Sequence, residues 1–153
     1  MNHRECGECT RCCEGWELTD VAEHIGFVGV GLPCRFVDQG KGCTIYEDRP
    51  TVCRHYKCEW LKDDMHNIPD WLKPNESNII ITEKPWGEGR NIDFYWSASE
   101  CGETIRGDVL HWLIVHCEEE GICLEYMVAG EKHYRGVNEF HQWADTRIKV
   151  KNV

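Results

Sequence analysis

The chain has 153 residues, 41% of them hydrophobic and 29% charged, which fits one compact domain or two small lobes and excludes collagen-like, coiled-coil and disordered classes. Its net charge of −10, from 27 acidic and 17 basic residues, disfavours nucleic acid and anionic membranes as partners. The start, Met1 to Cys6, lacks the apolar stretch of a signal peptide, and no window is apolar for long enough to span a bilayer, so the expectation is a soluble, cytoplasmic protein. Thiols stay reduced in that compartment, which turns the meaning of 11 cysteines from disulfides toward metal or redox chemistry.

In chain order, residues 6–18 hold the first cysteine cluster. Asp20 as N-cap, Glu23 as its capping-box partner and Gly26 as terminator predict a short helix over Val21–Ile25. Residues 26–44 are glycine-rich and predict loop, with a turn at Gln39-Gly40-Lys41-Gly42. Pro50 suits a helix start, which predicts a helix over Thr51–Leu61. Pro69 and Pro74 then punctuate the chain and set the expected boundary between a Cys-rich lobe, 1–74, and a small α+β lobe, 75–153.

In the second lobe, the apolar run Ile79-Ile80-Ile81 predicts a buried strand over Asn78–Thr82. Asn91–Trp96 alternates Ile92, Phe94 and Trp96 against Asp93 and Tyr95, the period of a strand. Val109, Trp112, Leu113, His116 and Cys117 fall at helical spacing over Asp108–Glu120, and Gly121 ends the helix. Ile122–Val128 predicts a strand, Ala129-Gly130-Glu131 a hairpin turn into Lys132–Arg135, and Asn138–Arg147 a last helix. The fold class expected is therefore α+β, an irregular Cys-rich lobe packed on a small α+β lobe.

The chemistry lies in Cys6, Cys9, Cys12, Cys13, Cys34, Cys43, Cys53 and Cys58, all within the first 58 residues. Two-residue spacers in Cys6-x-x-Cys9-x-x-Cys12-Cys13 let a loop turn successive sulfurs toward one centre, and Gly7 permits the backbone angles required. This spacing matches the opening of ferredoxin-type iron–sulfur motifs, without their fourth Cys and Pro. The adjacent pair Cys12-Cys13 suits two sites, or two edges of a cluster, better than one small ion. Cys34, Cys43, Cys53 and Cys58 are too far apart for one loop and converge only when the region folds, which couples metal binding to folding. Two tetrahedral zinc sites or one iron–sulfur cluster with further thiols both fit the count. The Cys-x-x-Cys spacings overlap in one run rather than forming two zinc knuckles, which favours an iron–sulfur cluster over zinc.

The run Cys6-x-x-Cys9-x-x-Cys12-Cys13, then Pro33-Cys34-Arg35-Phe36-Val37, then Gly42-Cys43-Thr44-Ile45-Tyr46-Glu47-Asp48-Arg49-Pro50-x-x-Cys53-Arg54-x-Tyr56 resembles the YkgJ-like cysteine-cluster family. That family is described both as zinc- or iron-chelating and as iron–sulfur-cluster proteins. The resemblance implies that all eight early cysteines are candidate ligands, with supporting roles for Tyr46, Arg49, Pro50 and Arg54. Arg49 and Arg54 can offset thiolate charge or donate to sulfur, or can form ordinary salt bridges with Glu47 or Asp48. Flagellin lysine methylases carry a similar cluster, but this chain has no Gly-x-Gly-x-x-Gly fingerprint. The functional expectation is a structural or redox metal protein. A cluster-dependent oxidoreductase or protein lysine methylase is one alternative, and a zinc-stabilised interaction module another. Cys101, Cys117 and Cys123 have no chelating spacing and are expected as core or incidental thiols, and most of the tryptophans as core and inter-lobe packing; His116 with Cys117 is expected to pack or to line an interface.

Overall fold

The structure, a computed structural model, describes residues 4, 6, 9, 19–21, 26–28, 37–38, 41–48, 58–62 and 66–151. Its centre is a mixed four-stranded sheet in chain order: β5 (Ile79–Glu88), β6 (Asn91–Glu100), β7 (Cys123–Val128) and β8 (Glu131–Arg135). The β5–β6 and β7–β8 pairs are antiparallel hairpins, while β6 and β7 run parallel from Tyr95↔Cys123 to Ala98↔Tyr126. Parallel neighbours need a crossover, and the helix α3 (Gly107–Glu120) supplies it. A second long helix, α4 (Asn138–Lys151), follows β8. The α+β expectation therefore holds for this part of the chain.

Strand alternation gives the sheet two apolar faces. On one, Ile79, Ile81, Trp96, Ala98 and Leu124 pack with Val109, Leu113 and Cys117 of α3. Trp60, Ile68 and Leu72, which precede the expected lobe boundary, belong to this same core. On the other face Tyr95 and Cys123 pack with Phe140 of α4, flanked by Trp86, Tyr134 and Trp143. Phe140 sits edge-on to Trp86 at 5.4 Å and is tilted against Tyr95 at 5.2 Å. Such aromatic pairs add about 0.5–1.5 kcal/mol beyond area burial.

The outer end of the β5–β6 hairpin extends past β7. There Ile92 and Phe94 keep the alternation expected for them but are 48% and 54% exposed. Period 2 assigns a face to a side chain; it does not supply a layer to cover that face. β5 is longer than expected and runs through Pro85, which its position at the sheet edge tolerates.

In the N-terminal part, residues 26–44 are expected as loop, but Gly26–Val28, Val37–Asp38 and Gly42–Cys43 within them are short strands. Thr19–Val21 (β1) and Gly26–Val28 (β2) pair as antiparallel strands; of the helix expected over Val21–Ile25, Val21 lies in β1 and residues 22–25 lie outside the described residues. The turn expected at Gln39–Gly42 is present: Val37–Asp38 (β3) pairs with Gly42–Cys43 (β4), and the Lys41 N–H donates to the Asp38 carbonyl at 2.9 Å. Of the helix expected over Thr51–Leu61, residues 51–57 lie outside the described residues, and Glu59–Lys62 forms the short helix α1. A further helical turn, α2 (Pro74–Ser77), leads into β5.

One carboxylate ties the sheet to its connections. Glu100, at the end of β6, accepts the Ile105 N–H (2.7 Å) ahead of α3 and the Ala129 and Gly130 N–H groups (3.0 and 2.8 Å) of the β7–β8 turn. Burial pushes its carboxyl up, but the three backbone donors outweigh that and lower it below the ordinary range. Ala129 has φ +52° and Gly130 φ +83°, the left-handed pair of a type I′ turn. Alanine resists that conformation, so Glu100 holds the turn against an intrinsic cost of about 1 kcal/mol.

A carboxylate whose folded pKa is lowered contributes stability above its unfolded pKa and loses it as pH falls through the folded value. Glu100→Gln will therefore lower unfolding free energy by about 1–2 kcal/mol at neutral pH, near the lower end for charged hydrogen bonds because two of the three are exposed. The difference from wild type will shrink with acidification, as read by urea unfolding at a series of pH values. Ala129→Gly will stabilise the fold by up to about 1 kcal/mol.

Candidate functional site

The first cysteines are brought to the α1 helix by Arg4. Its guanidinium donates to the Trp60 carbonyl (2.8 Å), to the Ile68 carbonyl, and to the Asp70 carboxylate (3.1 Å). It also lies over the Trp60 ring, 4.6 Å from the centroid, with the Lys73 ammonium 5.3 Å from the same ring. A planar fork with several donors satisfies two carbonyls and an aromatic face at once, which lysine cannot do. Farther along, the Cys9 N–H donates to the Cys6 carbonyl at 2.8 Å.

Cys58 stands at the head of α1, where its carbonyl accepts the Leu61 and Lys62 N–H groups at 3.0 and 3.1 Å. Its thiol is pushed up to about 11, first by burial and then by the fields of Cys9 and Cys6, against backbone donation from Leu61 and Trp60. Sulfurs separated by some fifty residues in sequence therefore act on one another electrostatically. Without a cation, a thiolate at one of them opposes a thiolate at the next. A bound cation reverses that sign. Arg4 and Lys73 both lie over the Trp60 ring, two residues on from Cys58. The buried Trp60 indole N–H has no acceptor among the described residues, which leaves a donor beside Cys58 in sequence.

Behind Cys58, Glu59 is buried at 3% exposure and paired with Lys62 at 2.7 Å. Burial raises its carboxyl, and Lys62 opposes the rise. Next to it His66 meets Trp96 edge-on at 5.2 Å and His116 at 5.9 Å. His116 stacks on Trp112 at 4.5 Å and on Trp96 at 5.5 Å. His116 is thus a packing residue, as expected, in an aromatic layer between the α1 region and the sheet.

The other expected site residues divide in two. Cys43 is half-buried on β4, and Tyr46, 38% exposed, lies in the helical turn Tyr46–Asp48. Cys12, Cys13, Cys34, Cys53, Arg49 and Arg54 lie outside the described residues. Among the described residues no group of three or more His, Cys, Asp or Glu side chains is arranged to hold a metal ion, and no helix is long and apolar enough to cross a membrane. Cys101, Cys117 and Cys123 are free thiols buried in the core, as expected. The sequence reading missed Arg4, Glu59 and Lys73; only the position of Arg4, two residues before Cys6, hints at its use. Compared with models of known protein families, with curated proteins and with solved structures, the chain matches none.

Replacing Arg4 by Ala will detach Cys6 and Cys9 from α1 and cost about 1.5–3 kcal/mol, because two carbonyls lose a charged donor. Arg4→Lys will recover only part. In the metal-free wild type, Cys58 will react slowly with N-ethylmaleimide at neutral pH and speed up only toward its pKa of about 11. In Arg4→Ala that reaction will speed up at neutral pH, as followed by peptide mass mapping. Equal rates in the two proteins would show that Arg4 does not hold the cysteines together.

Proposed function

We propose that the chain is a cytoplasmic metal-binding protein of the YkgJ-like cysteine-cluster type, in which thiolates hold an iron–sulfur cluster, with zinc as the second reading. The ligands come from Cys6, Cys9, Cys12, Cys13, Cys34, Cys43, Cys53 and Cys58, in an irregular Cys-rich lobe beside the α+β sheet. The observation that carries this reading is the approach of Cys6 and Cys9 to Cys58, held by Arg4 across 56 residues of sequence. That meeting supplies soft donors from both ends of the cysteine pattern.

The donor set suits the chemistry. Cys58 already receives backbone donation to sulfur, the kind of hydrogen bond that stabilises a metal thiolate. Burial and neighbouring thiols hold it protonated in the metal-free protein, so metal uptake releases protons and strengthens as pH rises. Drawing the sulfurs into coordinating distance is then coupled to ordering of the lobe. An iron–sulfur cluster would supply one-electron redox chemistry; zinc would supply structural closure alone. Tyr46, Arg49 and Arg54 are the residues assigned to orient the thiolates or neutralise their charge.

Protein purified without oxygen will be brown, with charge-transfer absorption in the visible and iron and sulfide in stoichiometric amounts. Cys9→Ser and Cys53→Ser will each lose the metal and destabilise the N-terminal part, while Cys101→Ser will retain it. A colourless protein with zinc would select the second reading. Full metal content in both Cys9→Ser and Cys53→Ser would overturn the ligand assignment.

A further inference from the structure

The turn end of the β5–β6 hairpin is an open strand edge. β5 pairs with β6 as far as Glu88↔Asn91, whereas β7 joins β6 only from Tyr95. Among the described residues, Asn91–Phe94 therefore have a neighbouring strand on one side alone. The Asn91 carbonyl faces β5, since a Cβ on Gly87 would strike it. Backbone groups alternate sides along an antiparallel strand, so those of Ile92 face outward, away from β5. The Phe94 N–H shares that direction and is taken by the Asp93 carboxylate at 2.8 Å. Ile92 and Phe94 are exposed on one face of the strand. Arg90, exposed in the turn, has no ion-pair partner among the described residues. The outer edges of the sheet are blunted, β5 by Pro85 and β8 by Glu131, Lys132 and Arg135.

The segment Arg90-Asn91-Ile92-Asp93-Phe94 is complementary to itself. Laid antiparallel on a second copy about Ile92, it sets Ile92 against Ile92, Asn91 against Asp93, and Arg90 against Phe94. The two Ile92 residues exchange backbone hydrogen bonds across a two-fold axis. The Asn91 amide donates to the facing Asp93 carboxylate, and the Arg90 guanidinium lies against the facing Phe94 ring. No like charges are opposed. Moving the axis to Asp93 would set two carboxylates face to face and would call on the Phe94 N–H that Asp93 already holds. A second copy supplies every counterpart at the required spacing.

We propose that two copies of this chain associate edge to edge through Arg90–Phe94 of β6, forming a two-fold dimer. A strand of five residues a side buries less than the roughly 1,200 Å² of a stable interface, so the dimer is weak and concentration-dependent. The inference does not rest on the metal reading. The test is sedimentation velocity on the full chain as purified, in oxygen-free reducing buffer, which keeps intermolecular disulfides from contributing. Salt at about 0.15 M screens the repulsion between two chains of net charge −10. The wild type will pass from monomer toward dimer between about 10 µM and 1 mM. Ile92→Lys sets two ammonium groups against each other at the axis and will weaken association about tenfold or more. Thr104→Lys adds the same charge in an exposed loop past the far end of β6 and will leave association unchanged within about twofold. Backbone amide exchange over residues 90–94 will slow as wild-type protein is concentrated, and will not slow in Ile92→Lys. The proposal is overturned by a wild type that stays monomeric across this range or by wild-type association in Ile92→Lys. Loss of association in Thr104→Lys, or dimers that leave exchange over residues 90–94 unchanged, overturns it equally.

Discussion

The contact between Arg4 and Trp60 joins the cysteine pattern to the folded core. Trp60 belongs to the apolar cluster beneath the sheet, and its carbonyl and ring both face the Arg4 guanidinium. A cation on an aromatic face is worth about 0.5–2 kcal/mol, more where water is excluded, and Arg4 adds hydrogen bonds to two carbonyls and one carboxylate. The same residue thus fixes the position of Cys6 and Cys9 and covers one side of the core.

Several carboxylates, some buried and some exposed, have a partner suited to their charge. Glu125 on β7 accepts the Ser97 hydroxyl at 2.9 Å and lies 3.7 Å from the Lys132 ammonium. Tyr134 is raised to about 12, by burial first and then by Glu125, whose carboxylate it also hydrogen-bonds. Glu59 has Lys62, and Glu118 has Arg135. The acidic excess of the chain therefore sits partly in specific pairs as well as on the surface. Cys58, by contrast, feels the two thiols of Cys9 and Cys6.

Much of the sheet half could be read from the sequence. Helix α3 agrees with its expected range to within one residue at its start, because a 3.6-residue period and a terminal glycine both mark it. The β7–β8 hairpin and the start of α4 were equally legible from turn chemistry and alternation. β5 exceeded its expected range because an internal proline signals a break in a central strand, while edge position depends on tertiary order that local sequence does not encode. For the site, the ligand candidates were legible as a cysteine pattern and Arg4 was not: its partners lie 56 to 66 residues away and include two backbone carbonyls, which leave no mark in residue type.

Glu100 also has a dynamic consequence. Its carboxylate joins the lead-in to α3 with the turn between β7 and β8, two segments with no reason of their own to move together. Opening either one removes donors from the same carboxylate, so the two openings are coupled through it. The β7–β8 turn, at the tip of a short hairpin, would otherwise fray quickly. Through one side chain it borrows the slow breathing of the helix crossover and becomes part of the same cooperative unit.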